Sequence, residues 1–322
     1  MSAKTSKKAS AKTAKKSKAL QNKTTTTIKS ELKVKAVVEK STQKTFWQKQ
    51  SLKAILGEFF GTMIFVTLAT GDPYSGLGFS FGLAAIVMAL FMISGGHVNP
   101  IVTIGLWSAR KFEGAKVPFY VLAQLLGGFT SLLITRSLSL ANTANAHIIP
   151  EGFFSGFLTV DWPLFIAEAS AAAIFLFGVT AAVSSKAKVS GKSLMIGLSL
   201  LAAVLTGGII LNKAVSGLPQ DVKSVDDLSK APSSMRVTGV TVNPAVALGS
   251  TFTSDRDLMK KQVQQNAYGS SLSLSQSDLN KLSQSEPTRL NLSTTIIGLI
   301  TGAVIGANLF VVLKNKEDSE EE

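Results

Sequence analysis

Cysteine is absent from this 322-residue chain, which excludes disulfides and thiolate metal sites. Histidine is almost absent: His97 and His147 are the two imidazoles, which leaves little for a metalloenzyme or a histidine-based triad. Charge is scarce as well, 16% of residues against the roughly 25% usual for soluble domains. It is also uneven. Residues 1–50 hold fourteen lysines and two glutamates, so +12 of the formal +13 sits in that stretch. The remainder is close to neutral, and the basic character belongs to a tail rather than to the fold. No long apolar run begins before about Ala54, so no secretory signal peptide is expected. These absences argue against an enzyme and imply no cofactor.

What the chain has in quantity is apolar surface, 46% of its residues. Six segments, 52–70, 76–93, 117–135, 163–184, 193–211 and 293–313, have the length and apolarity of a bilayer span, about 17–25 residues. The tail, rich in Lys, Ser, Thr and Ala, reads as disordered. It can touch anionic lipid or nucleic acid nonspecifically, although it lacks interleaved aromatics that stack bases. The simpler reading is a solvated segment that helps fix membrane orientation. Arg110, Lys111 and Lys116 follow the second span, and Lys186, Lys188 and Lys192 the fourth. On the opposite side the 71–75 link has no basic residue and the 136–162 link has Arg136 alone, at its edge. Short-loop Lys and Arg favour the cytoplasmic side, so a multi-pass protein with both termini in the cytoplasm is expected, most simply in the cell membrane.

Two stretches interrupt the apolar pattern in the same way: "VNPIVTIG" at 98–105 and "VNPAVALG" at 242–249. A lone Asn-Pro is ordinarily a turn or a helix start. Here two copies share five positions, and each opens a short apolar piece, 99–109 and 243–252, too short to cross. Pro100 and Pro244 suit the first helical position, where a missing N–H costs nothing, and Asn99 and Asn243 suit the cap before it. "GEFFGTMIFV" and "AEASAAAIFLF" further align Glu58 with Glu168. Three spans and one half-helix per repeat make the second repeat inverted. The expected fold is an all-α membrane protein with six transmembrane helices and two re-entrant half-helices. Its parts are a tail at 1–50, a body at 51–314 and an acidic end at 315–322. Within the body lie repeat one at 52–139, repeat two at 163–313, and polar inserts at 212–238 and 253–292. The inserts are most simply tolerated surface loops. Gly57-xxx-Gly61 and Gly298-xxx-Gly302-xxx-Gly306 permit close helix approach. Two half-helix N-termini meeting at the midplane concentrate positive potential and free amide donors. A cation or proton meets a barrier there, whereas a neutral hydrogen-bonding molecule passes.

"SGGHVNP" with "TIG" behind it, "GEFFGT", "AQLLGG" and "VNPAV" resemble the signatures of the aquaporins, the major intrinsic protein family, over residues about 52 to 313. The resemblance implies a right-handed bundle, usually a homotetramer with one pore per subunit and no cofactor or metal. It implies pore motifs at Asn99, Pro100 and Ile101 and at Asn243, Pro244 and Ala245, with Glu58 and Glu168 holding backbone and His97 in the loop before the first motif. Two departures bear on the permeant: Ile101 stands in an alanine position, and Val246 where the family usually has its filter arginine. Aligning outward, the other filter positions are Phe81 (or Phe79, since the second span runs short), Val204 and Val240. The aspartate usual after the second motif in glycerol-conducting members is missing. The implied function is a passive channel for water or small uncharged solutes such as ammonia, urea or small polyols, through an apolar outer filter. A secondary transporter, which also uses inverted repeats, and a membrane-tethered protein acting through its basic tail stand as alternatives.

Overall fold

The computed structural model describes residues 51–71, 76–140, 160–216, 239–250 and 292–320, with the isolated positions Lys29, Ser234 and Val237. The expectations for the tail, the 141–159 link and most of both inserts lie outside the described residues. The chain divides after Ser51 into two units, and the elements below belong to the second.

Among the described residues there are eight α-helices: α1 Leu52–Gly71, α2 Leu77–Leu90, α3 Pro100–Ser108, α4 Val117–Leu140, α5 Trp162–Ser184, α6 Val189–Ser216, α7 Pro244–Ser250 and α8 Leu292–Glu320. Of these, α1, α4, α5, α6 and α8 are long and apolar enough to cross a bilayer. Their large outward side chains are apolar, among them Leu52, Phe60 and Ile64 on α1 and Leu309 and Val312 on α8, as a hydrocarbon solvent requires.

The second span is shorter than expected. Helix α2 has 14 residues, about 21 Å at 1.5 Å per residue, and does not run on to residue 93. The amides of Ile93 and Ser94 both turn back to the Leu90 carbonyl at 2.9 Å. Gly95 and Gly96 then take φ of 92° and 63°, values that favour glycine, and the chain turns toward α3. Elsewhere helices outrun the expected boundaries. Helix α6 continues to Ser216, into the segment read as insert, and α8 to Glu320, into the acidic end. The start of α5 is capped by Asp161, whose Oδ1 accepts from the Leu164 amide at 3.2 Å. Its other oxygen accepts from the Ser234 amide at 2.7 Å, so one described residue of the first insert is tied to this helix end.

The two repeats pack alike. Helix α1 lies against α4 and α5 against α8, while α2 and α6 meet each other and join the halves. Each half-helix crosses over: α3 packs on α8 and α5 of the other repeat, α7 on α4 and α1. Two glycines set these distances. A Cβ on Gly127 of α4 would collide with the Phe59 carbonyl of α1, and one on Gly302 of α8 with the Ala169 carbonyl of α5. Phe59 and Ala169 each follow a repeat-related glutamate, Glu58 and Glu168, so the same contact is built twice.

This close approach can be tested against a glycine that lacks it. Gly302→Ala should lower the thermal unfolding temperature of the detergent-purified protein and its monodisperse yield, because backbone must move. Gly208→Ala in α6, where a Cβ meets nothing within 4 Å, should be neutral or stabilise by roughly 0.5–1 kcal/mol. Equal unfolding temperatures for the two variants would contradict the packing described.

Candidate functional site: the paired half-helix termini

Each half-helix starts as its sequence dictates. Asn99 stands in extended conformation, φ −160° and ψ 124°, with Pro100 at the first helical position. Its Oδ1 accepts from the Ile101 amide at 3.0 Å. In α7 the Asn243 Oδ1 accepts from the Ala245 amide at 2.8 Å. Each asparagine therefore satisfies one of the free N–H groups at its own helix start.

The amide nitrogens then join the two starts. Asn99 Nδ2 donates to the Val242 carbonyl at 2.9 Å, and Asn243 Nδ2 donates to the Val98 carbonyl at 3.3 Å. The pairs are reciprocal: each side chain holds the carbonyl of the residue preceding its counterpart. Both asparagines are buried. A side-chain amide carries two N–H donors, so one hydrogen on each remains beyond the clasp.

The carbonyls are presented by a strained backbone. Val98 and Val242 have φ of 41° and 51°, a left-handed conformation that costs a β-branched residue roughly 1–3 kcal/mol. Two buried carboxylates hold it. Glu58 of α1 accepts from the His97 amide at 3.0 Å and the Val98 amide at 2.7 Å, and from Gln124 Nε2 of α4 at 2.7 Å. Glu168 of α5 accepts from the Thr241 amide at 2.8 Å, the Thr241 hydroxyl at 2.9 Å and the Val242 amide at 3.2 Å. Both side chains are fully buried. N–H and O–H donors give these carboxylates the hydrogen bonds that such burial demands.

Pro100, Ile101, Pro244 and Ala245 are buried at the two helix starts, and Ala245 packs against Gly128 of α4. His97 precedes the first start, with Nδ1 3.0 Å from Thr103 Oγ1. Its ring lies edge-on to Phe112 and Tyr120, at centroid distances of 4.6 and 5.4 Å.

The outer positions divide. A Cβ on Gly76 would stand 3.1 Å from Val204 Cγ1 and 3.3 Å from Phe79 Cζ, so Phe79 and Val204 flank one point. Val240 packs against Gly207, one helical turn beyond Val204, and beside Ala171. Val246 is buried in the same apolar core. Phe81 is not with them. It is half exposed and lines an outward groove of about 580 Å³ between α2 and α6, with Ala84, Met88 and Leu194. The alternative Phe79 packs against the buried core, its ring centroid 6.2 Å from that of Phe65. Sequence reading also missed Thr103, Gln124 and Thr241 as parts of the site. Their signals were available as polar residues inside the "TIG", "AQLLGG" and "TVNP" stretches.

An inverted helical repeat, spanning a membrane and meeting at two capped half-helices, defines a class of integral membrane protein. The sequence signature of the Major intrinsic protein family matches residues 45–222, and the chain belongs to that family. It is 35% identical to aquaporin AqpM of Methanothermobacter thermautotrophicus over 44% of this chain and 57% of that protein. It is 30% identical to aquaporin Z of Photorhabdus laumondii over 51% of this chain and 80% of that one. The chain thus spans little more than half the length of the AqpM relative. The solved aquaglyceroporin of Plasmodium falciparum aligns with 80% of this chain and 93% of its own, at 20% identity and a TM-score of 0.45.

The carboxylate supports make a direct prediction. Glu58→Leu strips the His97 and Val98 amides of their acceptor, at about 1–3 kcal/mol for each unsatisfied buried donor. The purified variant should unfold at a markedly lower temperature than wild type, with Glu58→Gln intermediate because its amide oxygen still accepts. A leucine variant that unfolds with wild type would remove the carboxylate from this role.

Proposed function

We propose that the chain is a passive channel for water and small uncharged solutes, its pore running past the paired asparagines. The observation that carries this reading is the reciprocal clasp of Asn99 and Asn243 on the Val242 and Val98 carbonyls. It brings two helix N-termini, each equivalent to roughly half a positive charge, to one point. A cation is repelled there, and a neutral molecule with lone pairs is met by amide hydrogens. The names of the relatives, aquaporin AqpM and aquaporin Z, support the same class.

The carboxylates favour a channel over a coupled transporter. Transporters generally place ionisable groups at the substrate site, whereas Glu58 and Glu168 are engaged by backbone and side-chain donors. The tail, with both termini read as cytoplasmic, serves orientation and contact with anionic lipid in this account, and the assembly is a homotetramer in lipid. Selectivity falls to Val204, Val240 and Val246 with Phe79, an apolar outer ring. An arginine in place of Val246 would add fixed donors and a charge that replaces lost hydration. Without it the ring offers no hydrogen bond, which favours solutes such as ammonia, urea or small polyols beside or instead of water.

Two substitutions test this reading in proteoliposomes. Val246→Arg should lower solute flux more than water flux, and a water-selective wild type with every flux ratio unchanged in the variant would remove Val246 from the filter. Asn243→Asp places a carboxylate against the positive helix ends and should raise cation leak. A folded variant with unchanged leak and water flux would argue against a pore at the clasp.

A further inference from the structure

The two repeats share their glutamates, asparagines and close glycines, yet differ around the loop before each half-helix. Gln124 lies three residues before Gly127, as Leu299 lies before Gly302, and Thr103 four residues after Asn99, as Ala247 after Asn243. Where repeat one has His97, repeat two has Thr241, whose hydroxyl is taken by Glu168. Among the described residues, a chain of buried Glu, Gln, Thr and His therefore runs beside the first half-helix alone.

Glu58 offers acceptors, so the Gln124 amide turns its nitrogen toward it at 2.7 Å. The second hydrogen of that nitrogen goes to Thr103 Oγ1 at 2.9 Å. Thr103 has thereby accepted, and its own single hydrogen must find an acceptor. Three lie in reach: His97 Nδ1 at 3.0 Å, Gln124 Oε1 at 3.3 Å and the Asn99 carbonyl at 3.4 Å. The Asn99 carbonyl already receives the Thr103 amide at 3.2 Å, and both it and Gln124 Oε1 stand farther from the hydroxyl than His97 Nδ1 does. His97 Nδ1 makes the shortest of the three contacts: unprotonated, it accepts the hydroxyl hydrogen, and protonated, it donates to the hydroxyl, so the tautomer sets the direction. A neutral imidazole with an accepting Nδ1 carries its proton on Nε2.

Nothing among the described residues takes that proton. His97 is 8% exposed, and its Nε2 is not among the enclosed polar atoms left without a partner. The ring cannot readily turn, because Phe112 and Tyr120 flank it. Tyr120 is itself fixed by donating to the Ser94 carbonyl at 2.8 Å.

We propose that the Glu58–Gln124–Thr103 relay locks His97 in its Nε2–H tautomer, so that the ring presents a fixed donor on the approach to the paired asparagines. The relay rests on the hydrogen-bond lengths around Thr103, whereas the role of the donor rests on the channel reading. Together with the spare amide hydrogens of Asn99 and Asn243, it makes the stations along this part of the path donors. A solute then advances with a lone pair toward the wall, which suits the oxygen of water or urea and the nitrogen of ammonia. Thr103 and Gln124 are positioning residues, and His97 a specificity-determining one.

The tautomer is read directly from the ¹⁵N signals of the imidazole in protein carrying His147→Gln, which leaves His97 as the sole histidine. The expected result is the Nε2–H form in this protein and in Thr103→Ser, and loss of that preference in Thr103→Val, where the methyl replaces the hydroxyl. Solute and water flux should fall several-fold in Thr103→Val and stay near wild type in Thr103→Ser. An Nδ1–H form in the protein with native Thr103, or the same tautomer in all three, overturns the relay. A changed tautomer with unchanged flux overturns the role of the donor. Absence of flux in wild type counts against the channel reading, and the tautomer then still decides the relay.

Discussion

The structure depends on the meeting of two half-helix N-termini buried among the spanning helices. Their dipole ends are alike in sign, roughly half a positive charge each, and two strained valines lead into them. Neither the repulsion nor the strain is relieved locally. The asparagine amides bridge the two starts, and the buried carboxylates receive the amides that the left-handed valines turn inward. The cross-packing of α3 on α8 and α7 on α4 then follows, since each start is held to the opposite repeat. Gly127 and Gly302 let α1 and α5 come near enough for Glu58 and Glu168 to reach.

Symmetry in the frame leaves room for asymmetry in the lining. Repeat one carries histidine, threonine and glutamine beside its half-helix, while repeat two has threonine, alanine and leucine in those places. The proposed outer ring, Val204, Val240, Val246 and Phe79, has no polar atom in its side chains. A permeant in this account meets an apolar passage at one end and a hydrogen-bonding wall toward the other. Desolvation at the ring and orientation at the asparagines are thus separate steps, governed by different residues.

Much of this was legible in the residues. The two Asn-Pro pairs announced helix starts in apolar surroundings, and the matching glutamates emerged from the repeat. What escaped did so for identifiable reasons. Alignment outward from the motifs left Phe81 and Phe79 as alternatives, and only side-chain packing separates them: Phe81 is half exposed, whereas Phe79 packs on the core. Gln124 and Thr103 were visible as single polar residues within apolar runs, but nothing in the residues said that the two would meet Glu58 and His97. Helices α6 and α8 extend past their apolar stretches to Ser216 and Glu320, because Lys and Glu are good helix formers once outside hydrocarbon. The left-handed valines could not have been read at all, since β-branched residues rarely adopt that conformation.

The most direct test of the account is stopped-flow measurement of purified protein in vesicles, under opposing gradients of water, urea and ammonia with the internal pH recorded. The account predicts flux of at least one neutral permeant well above protein-free vesicles. That flux should rise linearly with its gradient, need no ion gradient and bring no proton leak. Flux that saturates and stops when an ion gradient is collapsed, or that carries protons, would contradict it.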